Sequence, residues 1–350
     1  MTTHSVPGLV DLPDRDGDNA AELTSTEARR ALRRAAVRAT LAPSVHNTQP
    51  WRFLLGEDRL QISADWDRQL RVLDPRGRQM MISCGCALFN ARVALAGAGY
   101  RVYVERFPPN AHPDDVARLT LSGRASRQPS IGSLDRAIDA RRTNRRRFAH
   151  DAVPAQVVDR LVQAANAEGA VLMPITRAED RETIARLNQR ADGLEVGDPA
   201  YRAELRAWTS DDPRRLDGVQ SSNVAYAGVG ARSSENVPIR VFDTDGSGWL
   251  PEDNGTGADQ CLLLLGTMDD SPAGWLAVGE ALEHVLLEIA DLGYAASPLT
   301  QLIEVRETHE LLRQHLRLAM HPSVLLRVGL APETLPTRRR RLVDVLGESD

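Results

Sequence analysis

The stretch GCALFNARVALAGAGY, residues 85–100, has a counterpart in GEALEHVLLEIADLGY, residues 279–294. Small or apolar residues match at positions 194 residues apart: Gly85/Gly279, Ala87/Ala281, Leu88/Leu282, Ala96/Ala290, Gly99/Gly293 and Tyr100/Tyr294. Each stretch predicts a helix that ends at a glycine and leads into a strand, because glycine commonly follows the last helical turn. Small residues along a helix also let a neighbouring backbone approach closely. We therefore predict an internal duplication with two central helices.

The pattern around these helices predicts an α+β fold made of two tandem degenerate halves. A weaker match links Leu32, Ala35 and Ala36 to Leu161, Ala164 and Ala165. We place an N-terminal arm at residues 1–22, the first half at 23–130 and the second half at 131–350. Two such halves would pack like a homodimer whose chains have been fused, so we expect a monomer, with weak dimerisation left open.

Composition excludes several classes of protein. The chain has 350 residues, 42% of them hydrophobic and 26% charged, which is ordinary for a folded domain. All 43 basic residues are arginine, so a Schiff-base lysine and a Walker A lysine are both impossible. The formal net charge of -5 argues against nucleic acid as a partner, because no global basic field would attract a polyanion.

Cysteine usage and hydropathy indicate the cellular compartment of the protein. The three cysteines, Cys84, Cys86 and Cys261, are too few and too widely spaced for a disulfide framework, which favours a reducing compartment. No HExxH and no paired CxxC motif occurs, so we predict no metal. Residues 1–18 lack an apolar signal core, and no run approaches the ~20 apolar residues of a membrane span. We expect a cytoplasmic protein without membrane contact.

Residues 42–51, APSVHNTQPW, form the first stretch that indicates a site. Its prolines Pro43 and Pro50 fix φ and prevent a helix through it. The residues between them carry short polar side chains that donate or accept hydrogen bonds, and Trp51 follows. Such a turn is suited to a flat heteroaromatic ligand. A plain connector between a helix and a strand explains the same residues, and both readings stay open at this point.

Residues 141–148, RRTNRRRF, form the second such stretch. Guanidinium groups bind phosphate in bidentate fashion and stay charged at any working pH, and the hydroxyl of Thr143 adds a neutral donor. The arginines therefore predict a phosphate site. The alternative is a solvated basic surface, which is common in arginine-rich chains.

The duplication connects the two stretches. The turn at 42–51 occurs only in the first half and the arginine stretch only in the second, so each half would supply one part of a single site. No GxGxxG motif follows a strand, which makes a Rossmann dinucleotide site improbable and favours a mononucleotide flavin. Residues 209–258 are rich in Asp, Ser, Asn and Gly, and we predict a lid over the site, with disorder as the alternative.

These features together resemble the FMN-dependent nitroreductase superfamily. The residues that carry the resemblance are Pro43, Ser44, Asn47, Gln49, Pro50 and Trp51, the stretch 142–148 and the passage 281–301. The arrangement in one chain, with DSPAGWLAVGEA at 270–281, is similar to the Acg-type nitroreductase-like proteins of actinobacteria. The resemblance covers nearly the whole chain from about residue 20. It implies the nitroreductase-like fold and an FMN held between the two halves.

The resemblance also implies roles for particular residues. The phosphate would be bound by Arg142, Thr143 and Arg145, with Arg141, Arg146 and the C-terminal Arg339 as further candidates. Pro43, Ser44 and Asn47 would reach the flavin from the opposite half, with Gln49 in support. Pro298, Leu299 and Thr300 occupy the loop whose backbone usually faces flavin N5. Members of the superfamily commonly place a lysine near the flavin pyrimidine edge, and this chain has none.

Three functions follow from this interpretation. The first is an oxidoreductase that moves hydride from NAD(P)H through FMN to a nitroaromatic or quinone-like small-molecule acceptor. In such an enzyme the cofactor carries the chemistry, and no catalytic acid–base pair is evident in the sequence. The alternative is a non-enzymatic protein that stores or sequesters FMN under the lid. A binder of another phosphate ligand is the third.

Overall fold

The first half begins with a capped helix and continues as a hairpin, a central helix and a second strand pair. The computed structural model describes residues 24–125, 130–224, 240, 242 and 260–348. Thr24 caps the first helix through a capping box with Glu27. The elements are α1 (Ser25–Ala39), β1 (Trp51–Leu55), β2 (Arg59–Ala64), α2 (Arg78–Gly97), β3 (Tyr100–Arg106) and β4 (Asp115–Arg124). The predicted arm at 1–22 lies outside the described residues.

The second half repeats this order with long insertions. Its elements are α3 (Asp135–Ala140), α4 (Ala155–Ala167), β5 (Val171–Pro174), α5 (Ala178–Gly197), α6 (Pro199–Ala207), β6 (Cys261–Thr267), α7 (Pro272–Asp291), β7 (Ala295–Leu299), α8 (Gln301–Glu304), α9 (Arg306–His315), β8 (His321–Gly329) and β9 (Leu346–Glu348). The β1–β2 connection spans three residues, whereas the β5–β6 connection contains α5, α6 and the 209–258 segment.

The two sheets have the same topology. Their orders are β3-β4-β2-β1-β9 and β7-β8-β6-β5, and within each four-strand unit all neighbours are antiparallel. The glycines after the two central helices, Gly99 and Gly293, have nearly equal φ values of 79° and 80°. A shared strand order and a shared turn conformation confirm the predicted α+β fold of two tandem, degenerate halves.

The central helices α2 and α7 cross at two glycines that are equivalent in the repeat. A Cβ on Gly85 would lie 2.2 Å from the carbonyl oxygen of Leu276, and a Cβ on Gly279 would lie 2.1 Å from that of Ile82. Ile82 and Leu276 are equivalent positions too, so the crossing is isologous, as in a two-fold dimer. The glycines therefore permit backbone contact where one hydrophobic core spans both halves.

The C-terminal strand fastens the second half onto the first. β9 lies at the end of the chain yet pairs in parallel with β1, with Phe53 opposite Leu346. The backbone N–H of Phe53 also donates to the carbonyl of Val345 at 2.8 Å. The two halves are thus interlocked in space, and the boundaries near residues 23 and 131 stay a prediction.

Two local features differ from simple expectation. Residues 297–299 were predicted to lie in a loop but belong to β7, where Pro298 pairs with Leu326. Proline is tolerated there because β7 is an edge strand of its sheet. Among the described residues, only α2 is long and apolar enough to cross a membrane, and 89% of its apolar window is buried inside the structure, as in a core helix.

Replacing Gly279 by alanine should lower the free energy of unfolding by about 3 kcal/mol or more, because the new methyl group overlaps the backbone of α2. The matched control is Gly193→Ala in α5, where a Cβ meets nothing within 4 Å. That control should be neutral or slightly stabilising. Urea unfolding of both variants tests this, and equal stabilities would contradict the close crossing.

Candidate functional site

The turn after α1 has a strained backbone. His46, Asn47 and Gln49 have φ values of 45°, 54° and 51°, in the left-handed region that non-glycine residues rarely adopt. The hydroxyl of Ser44 stabilises the turn by accepting from the backbone N–H of Gln49 at 2.9 Å. Left-handed residues of this kind persist where the surroundings enforce them, and they cluster at functional sites.

A cavity of about 110 Å³ lies beside this turn, between the two halves. Its lining residues are Pro43, Ser44, Val45, His46, Gln79, Ile82, Ser83, Cys86, Thr143, Arg145, Arg240, Phe242, Leu282, Pro298, Leu299, Thr300, Gln301 and Val324. They come from the turn, from both central helices, from the arginine stretch and from the end of β7. The cavity therefore joins three sequence features that are far apart along the chain.

The cavity contains seven of the residues named from the sequence. They are Pro43, Ser44, Thr143, Arg145, Pro298, Leu299 and Thr300. Pairing with β7 positions the arginine stretch: Thr143 forms a parallel bridge with Ala296, and the N–H of Asn144 donates to the Ala296 carbonyl at 2.9 Å. The strand end and the stretch thus reach the cavity side by side.

Asn47 and Gln49 lie outside the lining and bind the C-terminal tail. The amide of Asn47 donates to the carbonyls of Gly218 and Arg338, each at 3.1 Å, and its oxygen accepts from Arg339 at 3.0 Å. The oxygen of Gln49 accepts from the backbone N–H of Arg340 at 2.8 Å. The two side chains therefore fix the turn against the tail.

Three of the predicted arginines form a basic cluster next to the turn. Arg141 and Arg339 both donate to the carbonyl of Leu41, at 3.3 and 3.4 Å. Burial, followed by repulsion from Arg141, lowers the pKa of Arg339 to about 9. Burial and Arg141 likewise lower the pKa of Arg142. These cations lie close together, and the carbonyl of Leu41, which binds two of them, precedes Pro43 by two residues.

One buried carboxyl faces this basic cluster. The carboxylate of Glu283 lies 3.4 Å from Nε of Arg141. Burial raises the pKa of Glu283 to about 7, although the positive charge of Arg141 acts to lower it.

Arg141 and Arg142 also line a second, more open cavity with Asn144. Arg146 differs from them, since its side chain is exposed. The expected meeting of Asn47 and Arg142 at one ligand stays a prediction.

The sequence did not single out several other cavity residues, among them His46, Gln79, Arg240 and Phe242. His46 lies within the quoted turn, and its position between two ligand candidates was a usable signal. Gln79 lies in the largely apolar sequence of a core helix, and nothing in that sequence marks it as a site residue. Arg240 and Phe242 fall in the 209–258 segment, where no periodicity marks individual residues. The rest of that segment from 225 to 259, and with it most of the predicted lid, lies outside the described residues.

Arg240 and Arg145 are the positively charged residues that line the cavity. Arg240 forms hydrogen bonds with Tyr201 and Glu304 and an ion pair with Glu195. Burial, followed by repulsion from Arg240, lowers the pKa of Arg145 to about 10. The guanidinium of Arg145 lies 5.3 Å from the ring centre of Phe242. Both arginines remain cationic at neutral pH, so the cavity is suited to an anionic or electron-rich ligand.

The equivalent position in the other half holds ion pairs instead. Cys86 and Thr300, which line the cavity, correspond in the repeat to Glu280 and Arg106. The carboxylate of Glu280 accepts from Arg106 at 2.6 and 2.9 Å and from Arg92 at 2.7 Å. Arg92 also donates to Glu168, which in turn contacts His284 at 3.2 Å. The side chains at the two equivalent positions therefore differ, although the fold is duplicated. Within the described ranges, no group of three or more His, Cys, Asp or Glu side chains could hold a metal ion.

Comparison with known proteins gives relatives along most of the chain. No family model matches it. A Mycobacterium tuberculosis protein named “Putative NAD(P)H nitroreductase” is 35% identical over 325 residues, covering 88% of each chain. Another from that organism, with the same name and the designation acg, is 30% identical over 318 residues, covering 89% of this chain and 94% of its own.

A solved structure gives a weaker match. The crystal structure of a nitroreductase with bound FMN from Desulfitobacterium hafniense is 11% identical and covers 59% of this chain and 94% of its own, with a TM-score of 0.38. A likeness of that degree adds no argument, so the family assignment depends on the mycobacterial sequences.

Stability should depend on the ionisation of Glu168. Burial alone would raise its pKa, but hydrogen bonds from His284 and Arg92 lower it to about 2, below its usual value of 4.5. A depressed pKa stabilises the fold above about pH 4.5, and this contribution is lost as the pH falls towards 2. The stability difference between the native protein and Glu168→Gln should therefore shrink over this range.

Urea unfolding at pH 7, 5 and 3 measures that difference. The control is Glu57→Gln, which changes an exposed glutamate in the β1–β2 turn and should show no such trend. A difference for Glu168→Gln that stays constant down to pH 3 would contradict the role of its ion pairs.

Proposed function

The chain belongs to the nitroreductase family of these mycobacterial relatives, and we propose that it is an FMN-binding oxidoreductase that takes hydride from NAD(P)H and delivers it to a nitroaromatic or quinone-like acceptor. The observation that carries the proposal is the cavity between the halves. It is lined by the polar turn, by Thr143 and Arg145, and by the Pro298–Thr300 segment. These are the three features from which a flavin site was predicted.

The residues present are compatible with FMN. The walls combine apolar side chains such as Ile82 and Leu282 with a few polar groups, which suits a flat ring with a polar edge. FMN, when bound, supplies the hydride-transfer chemistry, and the protein supplies position and charge.

The basic residues support binding of the phosphate. Arg145 lines the cavity, and the Arg141, Arg142 and Arg339 cluster lies beside the start of the same turn. Nε of Arg339 is buried without a hydrogen-bond partner among the described residues. An anion would supply the missing acceptor, since buried N–H groups are rarely left unsatisfied.

Arginine would also take the part that lysine has in related sites. The chain contains no lysine, but Arg145 and Arg240 both line the cavity and stay protonated. Preorganised cations of this kind stabilise negative charge that develops on a bound ring, because they need no reorganisation during the reaction. The chain would thereby retain an electrostatic environment suited to flavin reduction.

Replacing Arg145 by alanine should lower FMN affinity about ten- to a hundredfold, because a charge-assisted hydrogen bond is lost. The neighbouring Arg146→Ala removes an exposed arginine and should keep the native flavin content. Flavin absorbance per protein, with circular dichroism to verify folding, measures both variants. Equal flavin content in the two variants would contradict a contact between Arg145 and the bound FMN.

Excess NADPH added anaerobically to the FMN-loaded protein should bleach the oxidised flavin band within seconds. Addition of a quinone should then restore the band, because the acceptor reoxidises the cofactor. A band unchanged over many minutes would contradict the reductase and support storage. Colourless protein that does not take up added FMN would contradict both.

A further inference from the structure

His46 has an unusual position for a histidine. Its side chain lines the cavity with only 8% of the residue exposed, and neither Nδ1 nor Nε2 has a hydrogen-bond partner among the described residues. Its ring meets Phe242 edge-on, with centroids 5.9 Å apart. Burial, followed by repulsion from Arg240 and Arg145, holds the pKa of His46 well below its usual value of 6.5. The imidazole is therefore neutral, with one donor and one acceptor.

Gln79 supplies a second unsatisfied group in the same cavity. It lies in the first turn of α2, is 5% exposed, and its Nε2 has no partner among the described residues. The neighbouring Ser83 is already engaged, since its hydroxyl donates to the Gln79 carbonyl at 2.7 Å and accepts from the N–H of Val45 at 3.3 Å. The unpaired hydrogen-bonding groups on this wall of the cavity are thus a donor and an acceptor on the imidazole of His46 and a donor on the amide of Gln79.

These groups restrict the chemical class of ligand that the cavity can bind. A wholly apolar ring would leave the groups unsatisfied at a cost of about 1–3 kcal/mol each. A simple anion would accept from the donors but would leave the imidazole acceptor without a proton to bind. A cyclic imide edge presents an N–H between two carbonyls, so along one edge it can donate to the imidazole acceptor and accept from the amide of Gln79.

We propose that His46 and Gln79 are specificity-determining residues that hydrogen-bond the imide edge of the flavin ring, an inference that rests on the proposed function. The neutral imidazole accepts from the imide N–H, and the amide of Gln79 donates to a neighbouring carbonyl. Arg145 and Arg240 have two effects. Their charges stabilise electron density on the flavin ring, and together with burial they keep the imidazole of His46 neutral.

The backbone of His46 dictates the choice of variants. Its φ of 45° is tolerated by glycine and by asparagine, so neither His46→Gly nor His46→Asn adds strain to the turn. His46→Gly removes the ring, whereas His46→Asn keeps a donor and an acceptor on a shorter side chain. Gln79→Met removes the amide inside a helix and keeps the side-chain length. His315→Asn, at an exposed position in α9, is the control.

Fluorescence titration with FMN and with 3-methyl-FMN, which lacks the imide N–H, tests the proposal. The native protein and the His315→Asn control should prefer FMN at least about tenfold, equivalent to one hydrogen bond. His46→Gly should bind FMN about tenfold more weakly and should lose most of this preference, while His46→Asn retains part of it. Gln79→Met should weaken FMN binding by a similar factor.

The outcomes separate this inference from the proposed function. A native protein that binds neither flavin contradicts the proposed function itself. A native protein that binds FMN tightly but shows the same preference in His46→Gly, or no preference at all, overturns only the role of His46. Should His46→Gly fail to fold, unchanged FMN affinity in Gln79→Met together with native-like preference in His46→Asn overturns the subsite.

Discussion

The backbone contact between α2 and α7 at Gly85 and Gly279 is the constraint on which the rest of the structure depends. Any side chain at either position would meet a carbonyl oxygen of the opposite helix within about 2 Å. The contact places the two sheets symmetrically about one crossing and brings the end of β7 next to the turn after α1. The cavity lies between elements that this crossing holds together.

The symmetry of the backbone makes the asymmetry of the side chains informative. One of the two equivalent positions is a cavity lined by Cys86 and Thr300, and the other is filled by the ion pairs of Glu280 and Arg106. Buried ion pairs contribute little net stability when their desolvation is counted. Here they occupy the position that corresponds to the cavity in the repeat.

The absence of lysine explains much of the electrostatics. Arginine stays protonated when buried far more readily than lysine does, so guanidinium groups can occupy interior positions such as those of Arg145, Arg240 and Arg339. Their planar donors also satisfy several carbonyls at once, as Arg339 does with the carbonyls of Leu41 and Arg338. Burial, followed by the charges of Arg240 and Arg145, lowers the pKa of His46 and thereby leaves the imidazole neutral.

The sequence by itself determined the duplication, the two central helices and three segments of the candidate site, because periodicity, glycine positions and arginine clustering are local signals. It missed His46, Gln79 and Arg240 as cavity residues and placed Pro298 in a loop. Only the tertiary structure decided these points, since burial, an unsatisfied ring nitrogen and a strand partner are properties of neighbours distant in sequence. The parallel pairing of β9 with β1 is of the same kind: three residues carry no periodicity, and only the packed first sheet gives them a partner.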